Sequence, residues 1–206
     1  MAKKTVIAVV TASLLAGSVS LAEDRLDEVK KSMSEAACYE IKFLSIVESD
    51  VFNSVDTAEG EAYIALDGRY SLDIGPDKYA YDREFLYSYS REQNQVTIEP
   101  FDYRNAPVEE VTFIVRLDSY YQTEVVKKDR EYRLTRIDST SADLPDSLRL
   151  FLKSGKAEIE RLEFYDLNED LNRIVFRSQK AKSKCSEKKL FLDIPDEAGI
   201  IRMYPQ

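Results

Sequence analysis

The hydrophobic positions of the chain change their period once, near residue 37. Between residues 24 and 36 apolar side chains recur at helical spacing, which predicts an amphipathic helix whose stripe is Leu26, Val29, Met33 and Ala36. Asp24 is a suitable N-cap for this helix. A helix this short is only marginally stable alone in water, so we expect its stripe to rest on a larger apolar surface.

From residue 39 onward the apolar positions alternate with polar ones, which is typical of β-strands. Residues 61–66 and 70–74 predict a hairpin, because Asp67 and Gly68 form a turn pair between two alternating runs. Residues 107–121 are less regular and predict a short helix or a covering loop. The other predicted strands are residues 39–47, 78–81, 85–89, 95–98, 124–128, 132–137, 147–153, 159–164, 173–178 and 190–194.

The order of these elements predicts a mainly β fold with some α. The strands recur every 8–12 residues or so, as in an antiparallel barrel or sandwich. The helix would then lie across the sheet or plug the mouth of a curved one.

Aromatic and aliphatic positions repeat along consecutive strands and are densest in YAYDREFLYSYS, residues 79–90. Alternation of this kind fits an ordinary packed β core. It also fits the lining of a ligand cavity, where tyrosine tolerates intermittent wetting. We expect these side chains to share one face and, in the second interpretation, to bind the ligand: Phe43, Ile64, Leu66, Tyr70, Leu72, Phe85, Tyr87, Tyr89, Val96 and Ile98.

The N-terminal residues indicate export. Lys3 and Lys4 precede an apolar run over residues 5–17, and small residues at Ser20 and Ala22 precede an acidic start. This pattern predicts a signal peptide over residues 1–22, cleaved after Ala22, and a single domain over residues 23–206 in the periplasm. A retained anchor is the alternative, although the run is shorter than the roughly 20 residues of a membrane span.

Charge and composition narrow the function classes. Without Lys3 and Lys4 the formal net charge falls from −9 to −11, which disfavours nucleic-acid binding. The chain has no histidine, which excludes mechanisms with a histidine base or metal ligand. In an oxidising compartment Cys38 and Cys185 are expected to form a disulfide, with two unpaired thiols as the alternative.

Carboxylates are the remaining candidates for chemistry. Glu158, Glu160, Glu163 and Asp166 form an acidic cluster, but we interpret it as a solvated strand face because no apolar pocket would separate their pKa values. Asp193, Asp196 and Glu197 lack the spacing of a calcium loop. We therefore expect a non-enzymatic protein without metal or cofactor.

The segment GEAYIALDGRYSLDIGPDKYAYDREFLYSYSREQNQVTI, residues 60–98, resembles the LolA-like family of periplasmic carriers for outer-membrane lipoproteins. A glycine opens a strand, a hairpin follows, and then an Asp-x-x-aromatic-leucine-aromatic-x-Tyr segment from Asp82 to Tyr89. Residues 191–201 resemble the family's C-terminal strand and proline turn.

The resemblance implies an incomplete antiparallel β-barrel, a half-barrel, covered by an α-helical lid over a hydrophobic cavity. It also implies the partners: acylated lipoproteins or other lipids, an ABC-type extractor in the inner membrane and an acceptor in the outer membrane. We expect a monomer. The family's Arg-Pro pair, implicated in lid closure and handover, is replaced here by Leu66 and Asp67, with Arg69 close by.

Three functions follow as hypotheses. The first is a carrier that moves lipoproteins by their acyl chains from the inner to the outer membrane. The second is an envelope sensor or interaction module that uses the same half-barrel to bind a glycolipid or a protein without transfer. The third is a carboxylate hydrolase, which needs two carboxylates converging in a pocket.

Overall fold

The computed structural model of the protein describes residues 24–101, 112–137 and 144–203. The predicted signal peptide and its cleavage site lie outside these residues. Within them, no helix is long and apolar enough to cross a membrane.

The described residues form one open sheet of twelve strands with few helices, as predicted for a half-barrel with a lid. The strands in chain order are β1 Cys38–Ser49, β2 Ser54–Ala65, β3 Tyr70–Ile74, β4 Asp77–Tyr81, β5 Phe85–Ser90, β6 Gln95–Pro100, β7 Tyr121–Lys127, β8 Glu131–Arg136, β9 Ser147–Leu152, β10 Ile159–Tyr165, β11 Leu171–Lys182 and β12 Gly199–Arg202.

The spatial order of the strands is β12-β6-β5-β4-β3-β2-β1-β11-β10-β9-β8-β7. Neighbours are antiparallel except β12, which pairs in parallel with β6. The sheet is therefore antiparallel as predicted, apart from this edge pair, whose strand β12 the sequence analysis did not predict. Because β12 and β7 are the two edges and do not pair with each other, the sheet is not closed.

Helix α1, Arg25–Glu35, is the helix predicted from the periodicity. Asp24 caps it, with Oδ1 accepting a hydrogen bond from the Leu26 amide at 3.1 Å. Asp24 also accepts a hydrogen bond from the hydroxyl of Tyr132 on β8. The start of the helix is thereby fixed to the sheet.

The apolar stripe of α1 packs on one side of the sheet, which we call the inner face. Leu26, Val29 and Met33 are at most 3 % exposed in a common core with residues of β1, β2, β3 and β8 to β11. A second piece, the 3-10 helix Thr112–Arg116 followed by α2, Leu117–Tyr120, packs into the same core. We call α1 and residues 112–120 together the lid.

The opposite, outer face is crossed by residues 185–198, which we call the strap. The strap begins at the Cys38–Cys185 disulfide, whose Cα atoms are 5.3 Å apart, so the predicted pairing is confirmed. The Ser71 hydroxyl donates to the Lys189 carbonyl at 2.5 Å, and the Asn94 side chain donates to the Glu197 carbonyl at 3.3 Å.

The strand predicted at residues 190–194 is wrong, because this segment lies in the strap. Glu187–Leu190 is a 3-10 helix, and Leu190 is buried beside Cys38 and Tyr63 on the outer face. A segment that crosses the strands over their face cannot join their backbone ladder, despite its alternating pattern. The chain pairs again only at β12.

Candidate functional site: the covered inner face

The inner face is a continuous apolar surface made by alternate residues of neighbouring strands. Ile41 lies opposite Ala62, and Ile64 lies opposite Tyr70. Together with Leu72 they are no more than 2 % exposed. With the lid in place, these side chains are sealed from water.

Gly60 shows why a glycine opens the segment that resembles the carrier family. It lies opposite Phe43 in the ladder, and the phenyl ring covers it. A Cβ at Gly60 would stand 2.2 Å from the ring Cζ of Phe43, closer than two carbon atoms can approach. The missing side chain therefore lets an aromatic ring lie against the backbone of the inner face.

The ten side chains expected on one face lie on two. Four of them, Phe43, Ile64, Tyr70 and Leu72, lie on the inner face in the core beneath the lid. Leu66 follows β2 and is 49 % exposed. The other five belong to the outer side of β5 and β6: Phe85, Tyr87, Tyr89, Val96 and Ile98.

The expectation of one shared face is wrong because a turn resets the phase of the alternation. Tyr70 pairs with Tyr81 and Tyr81 pairs with Leu86, so Leu86 is the β5 residue in the inner core. Phe85 and Tyr87, its neighbours in sequence, must then point the other way. Alternation within one strand shows which of its residues share a face. Which residues of the next strand lie on that same face depends on turn length and pairing register.

Two inner-face tyrosines were missed for the same reason. Tyr81 is 1 % exposed, and its ring centroid lies 5.8 Å from that of Tyr70. Tyr79 lies opposite Leu72 and packs against the same core. The signal that could have found them is the two-residue turn between β3 and β4, because its length places Tyr79 and Tyr81 on the same face as Leu72.

Two of the outer-face tyrosines hold the turns at the two ends of β5. The Tyr87 hydroxyl donates to Asp82 Oδ2 at 3.0 Å, and Asp82 Oδ1 accepts from the Phe85 amide at 2.8 Å. The Tyr89 hydroxyl donates to Asn94 Oδ1 at 3.1 Å. These contacts give both rings a structural role in this part of the fold.

The lid is joined to itself and to the sheet by a few polar contacts. Lys30 of α1 forms an ion pair with Asp118 of α2 at 2.6 Å. The Arg25 amide donates to Asp129 Oδ1 at 3.1 Å. The Ile137 amide donates to the Tyr120 carbonyl at 2.8 Å. The lid also packs its apolar side chains into the inner core, an interaction that depends on little directional bonding.

The position of the family's Arg-Pro pair is occupied by the turn after β2. Arg69 donates to Asp67 Oδ2 at 2.8 Å and to Glu187 of the strap at 2.6 and 3.2 Å. Its hydrogen bond to Glu187, together with Asp67, raises the pKa of the Arg69 guanidinium. Arg69 therefore ties the turn to the strap rather than to the lid.

Arg116, at the end of the 3-10 helix of the lid, approaches this turn instead. A Cβ at Gly68 would lie 3.3 Å from Nη2 of Arg116. Gly68 has a φ of 95°, a left-handed conformation that favours glycine. Sequence reasoning did not single out Arg116, because its position relative to the turn depends on tertiary packing.

The acidic cluster is a network of ion pairs. Burial alone would raise the pKa of Glu163, but hydrogen bonds and charges from Arg161 and Arg173 outweigh it and lower the pKa. A hydrogen bond from Lys153 lowers the pKa of Glu158. An acid and base pair needs pKa values moved in opposite directions, so these two carboxylates do not support the hydrolase hypothesis.

An open groove of about 560 Å³ lies on the outer face between β1 to β4 and the strap. Tyr63 and Phe191 give it apolar walls, while Lys42, Glu61 and Arg177 give it charged ones. Lys42 and Glu61 are paired at 3.2 Å. The groove is separate from the inner face, which lies on the other side of the sheet.

No protein-family model matches the chain, and no curated protein matches it. Among solved structures it is similar to an uncharacterized conserved protein from Thermus thermophilus, with a TM-score of 0.52 and 12% identity over 86% of this chain and 96% of that chain. This likeness shows a shared fold.

The chain is also similar to the LolA superfamily protein NE2245 from Nitrosomonas europaea, with a TM-score of 0.44 and 9% identity over 82% of this chain and 98% of that chain. A third similar structure is LprF from Mycobacterium bovis, with a TM-score of 0.41 and 9% identity over 85% of this chain and 96% of that chain.

Proposed function

We propose that the chain is an exported, non-enzymatic carrier that binds the acyl chains of lipoproteins on its inner face, beneath the lid. The observation that supports this most is a continuous apolar face covered by two short helical pieces instead of a second sheet. Transfer of an acyl chain between apolar surfaces needs neither a cofactor nor covalent chemistry.

The free energy that holds α1 on the inner face and the free energy gained by burying an acyl chain are of comparable size. Full burial of one large aliphatic side chain is worth about 1.5–3 kcal/mol, so Leu26, Val29 and Met33 hold α1 down with roughly 5–9 kcal/mol as an upper estimate. An acyl chain of ~16 carbons gains on the order of 12 kcal/mol on leaving water. An acyl chain can therefore replace the helix on the inner face.

The acyl-binding surface in this proposal consists of the inner-face residues of β1 to β4. Phe43, Ile64, Tyr70 and Leu72 are the members anticipated from the sequence, and Tyr79 and Tyr81 extend the surface. Burial, with Glu158 as a second contribution, raises the pKa of Tyr39 to about 12, so its phenol stays neutral on this surface. An uncharged apolar surface suits an acyl chain.

The cellular setting follows from the predicted signal peptide and the family resemblance. The carrier would work in the periplasm, receive lipoproteins from an ABC-type extractor in the inner membrane and deliver them to an outer-membrane acceptor. Because Arg69 contacts the strap, handover would not rely on an arginine at the position the family uses. Arg116 of the lid also approaches this turn, beside Gly68.

The first experiment is native mass spectrometry of the protein purified from periplasm without detergent. A bound species of acyl-lipid mass, released on denaturation, is the expected result. A palmitate carrying a diazirine is then photo-crosslinked to the protein and the modified peptides are sequenced. Crosslinks are expected in α1 and at inner-face positions of β1 to β4, and crosslinks confined to Phe85, Tyr87 and Ile98 would contradict the assigned face.

A second function, an envelope interaction module without transfer, is favoured by one observation. With the lid closed the inner face is filled, whereas the groove between the strap and β1 to β4 is open. A lipoprotein-release assay with spheroplasts separates the two proposals. A carrier releases labelled lipoprotein into the medium in proportion to its concentration; an interaction module binds saturably and releases none.

A further inference from the structure

Two neighbouring turns present large apolar side chains to solvent at one end of the sheet. In the β1–β2 turn Val51 is 77% exposed and Phe52 is 79% exposed. In the β10–β11 turn Leu167 is 99% exposed, and Tyr165, at the end of β10, is 66% exposed. Single exposed apolar residues are ordinary, but four on two adjacent turns form a patch. We call this patch the hairpin tips.

The strand register places these turns side by side. β1 pairs with β11, and the last partners are Glu48, near the end of β1, and Leu171, which directly follows the β10–β11 turn. Arg173 of β11 also pairs with Glu48 at 2.7 Å. The β1–β2 hairpin projects beyond β3, because the last contact on that side is the Gly75 amide donating to the Glu59 carbonyl at 3.2 Å, and residues 54–58 of β2 have no strand partner there.

Both turns have an ordered backbone. In the first, Ser49 Oγ accepts from the Phe52 amide at 3.4 Å. In the second, Asp166 Oδ1 accepts from the amides of Asn168 and Asp170 at 2.8 and 3.1 Å. The apolar side chains are therefore held outward by fixed turns, which reduces the entropy lost when they are buried.

The charge around the tips has one sign. Residues 49–57 and 165–171 contain five carboxylates and neither lysine nor arginine. A strongly anionic lipid surface would repel such a tip. A zwitterionic surface whose outermost group is an ammonium complements it, since carboxylates accept hydrogen bonds from ammonium donors.

We propose that the hairpin tips dock the protein on a bilayer rich in phosphatidylethanolamine, inserting Phe52, Val51 and Leu167 into the interfacial layer. A bilayer accepts protruding apolar side chains without a matching pocket, which suits two convex turns better than a preformed protein socket does. This docking would orient the molecule at a membrane independently of whether its inner face binds an acyl chain.

Because the native chain has no tryptophan, single tryptophans report the environment of each tip. Phe52→Trp and Leu167→Trp are each mixed with vesicles of phosphatidylethanolamine and phosphatidylcholine. The emission is expected to shift to the blue and to be quenched by brominated acyl chains. Val126→Trp is the matched control, because Val126 is 50% exposed but lies on the distant edge strand β7, and its emission should not change.

Vesicle flotation measures the contribution of the tips directly. The double variant Phe52→Ser and Leu167→Ser should bind at least about tenfold more weakly than the wild type, while Val125→Ser and Val126→Ser should bind normally. Replacing part of the phosphatidylethanolamine with phosphatidylglycerol should weaken wild-type binding. Absence of wild-type binding, equal binding by the tip variant, or stronger binding to the anionic vesicles would overturn the proposal.

Since all four substituted positions are at least half exposed, the variants should keep the wild-type thermal midpoint, measured by circular dichroism. The native mass spectrum separates this proposal from the carrier proposal. A tip variant that still carries an acyl lipid but no longer floats has lost docking alone.

Discussion

The two faces of the β1–β6 half of the sheet are both covered, but by different means. The inner face is covered by the lid, whose contact is mainly the apolar stripe of α1 with a few polar contacts such as Lys30 to Asp118. The outer face is covered by the strap, which is joined by a disulfide at one end and by the β12–β6 pairing at the other. One cover is held mainly by apolar packing and the other by a covalent bond and a strand pairing, so any opening of the fold is expected on the inner face.

The largest expected effect comes from removing apolar volume beneath the lid. Leu72→Ala should lower the free energy of unfolding by about 2–5 kcal/mol, because Leu72 is 1% exposed in the inner core. Urea denaturation of the purified protein measures this. Leu66→Ala is the control, since Leu66 is 49% exposed and should cost much less. Equal losses would mean that the inner face is not the packed core.

The next effect comes from releasing the strap. Replacing Cys38 and Cys185 together with alanine should cost about 2–4 kcal/mol, since the bond closes a loop with a sequence separation of 147. Hydrogen exchange would locate the change. Amides of β12 should lose protection while those of α1 keep theirs, and faster exchange in α1 alone would contradict the division between the two covers.

A smaller effect is expected from the polar side of the outer face. Tyr89→Phe removes the hydrogen bond to Asn94 and should cost about 0.5–1.5 kcal/mol, because the ring stays buried at 7% exposure. Thermal and urea unfolding both report this value. A loss of unfolding free energy as large as that of Leu72→Ala would mean that this outer-face hydrogen bond stabilises the fold as much as packing in the inner core does.

The smallest effect concerns Glu163, on the outer side of β10, and it depends on pH. Its pKa is lower in the folded state, so its ion pairs stabilise the protein above the unfolded pKa of about 4.3. That contribution is lost as the pH falls through the folded pKa.

Glu163→Gln should therefore cost up to about 1 kcal/mol at pH 7 and much less well below pH 4. Unfolding curves at the two pH values test this. A cost that persists unchanged in acid would show that packing, and not charge, is responsible.

The local elements of the fold could be predicted from the sequence, because their signals are local. The stripe of α1, the Asp24 cap and the Asp67–Gly68 turn each depend on residues within a few positions of one another. The mainly β half-barrel with a lid was also confirmed. It had been predicted from the order of the helix and strands and from the family resemblance of residues 60–98.

The assignment of residues to faces could be predicted only in part. Phe43, Ile64, Tyr70 and Leu72 were placed on one face correctly because they precede the β4–β5 turn. Beyond that turn the parity changes, and the remaining predicted residues lie on the outer side: Phe85, Tyr87, Tyr89, Val96 and Ile98. Residues 190–194 of the strap were predicted to be a strand because alternation does not show whether a segment pairs with an edge or crosses a face.

The strap also constrains how the molecule can be assembled. The first strand, β1, lies near the middle of the spatial order, and it carries Cys38 as its first residue. Its covalent partner Cys185 follows 147 positions later in the sequence, and the edge strand β12 follows later still, so both emerge well after β1 during synthesis or threading through a pore. The nascent chain must therefore keep a reactive thiol and an unfinished sheet edge available until residues 185–202 arrive, and a chaperone that delays folding would serve it at that stage.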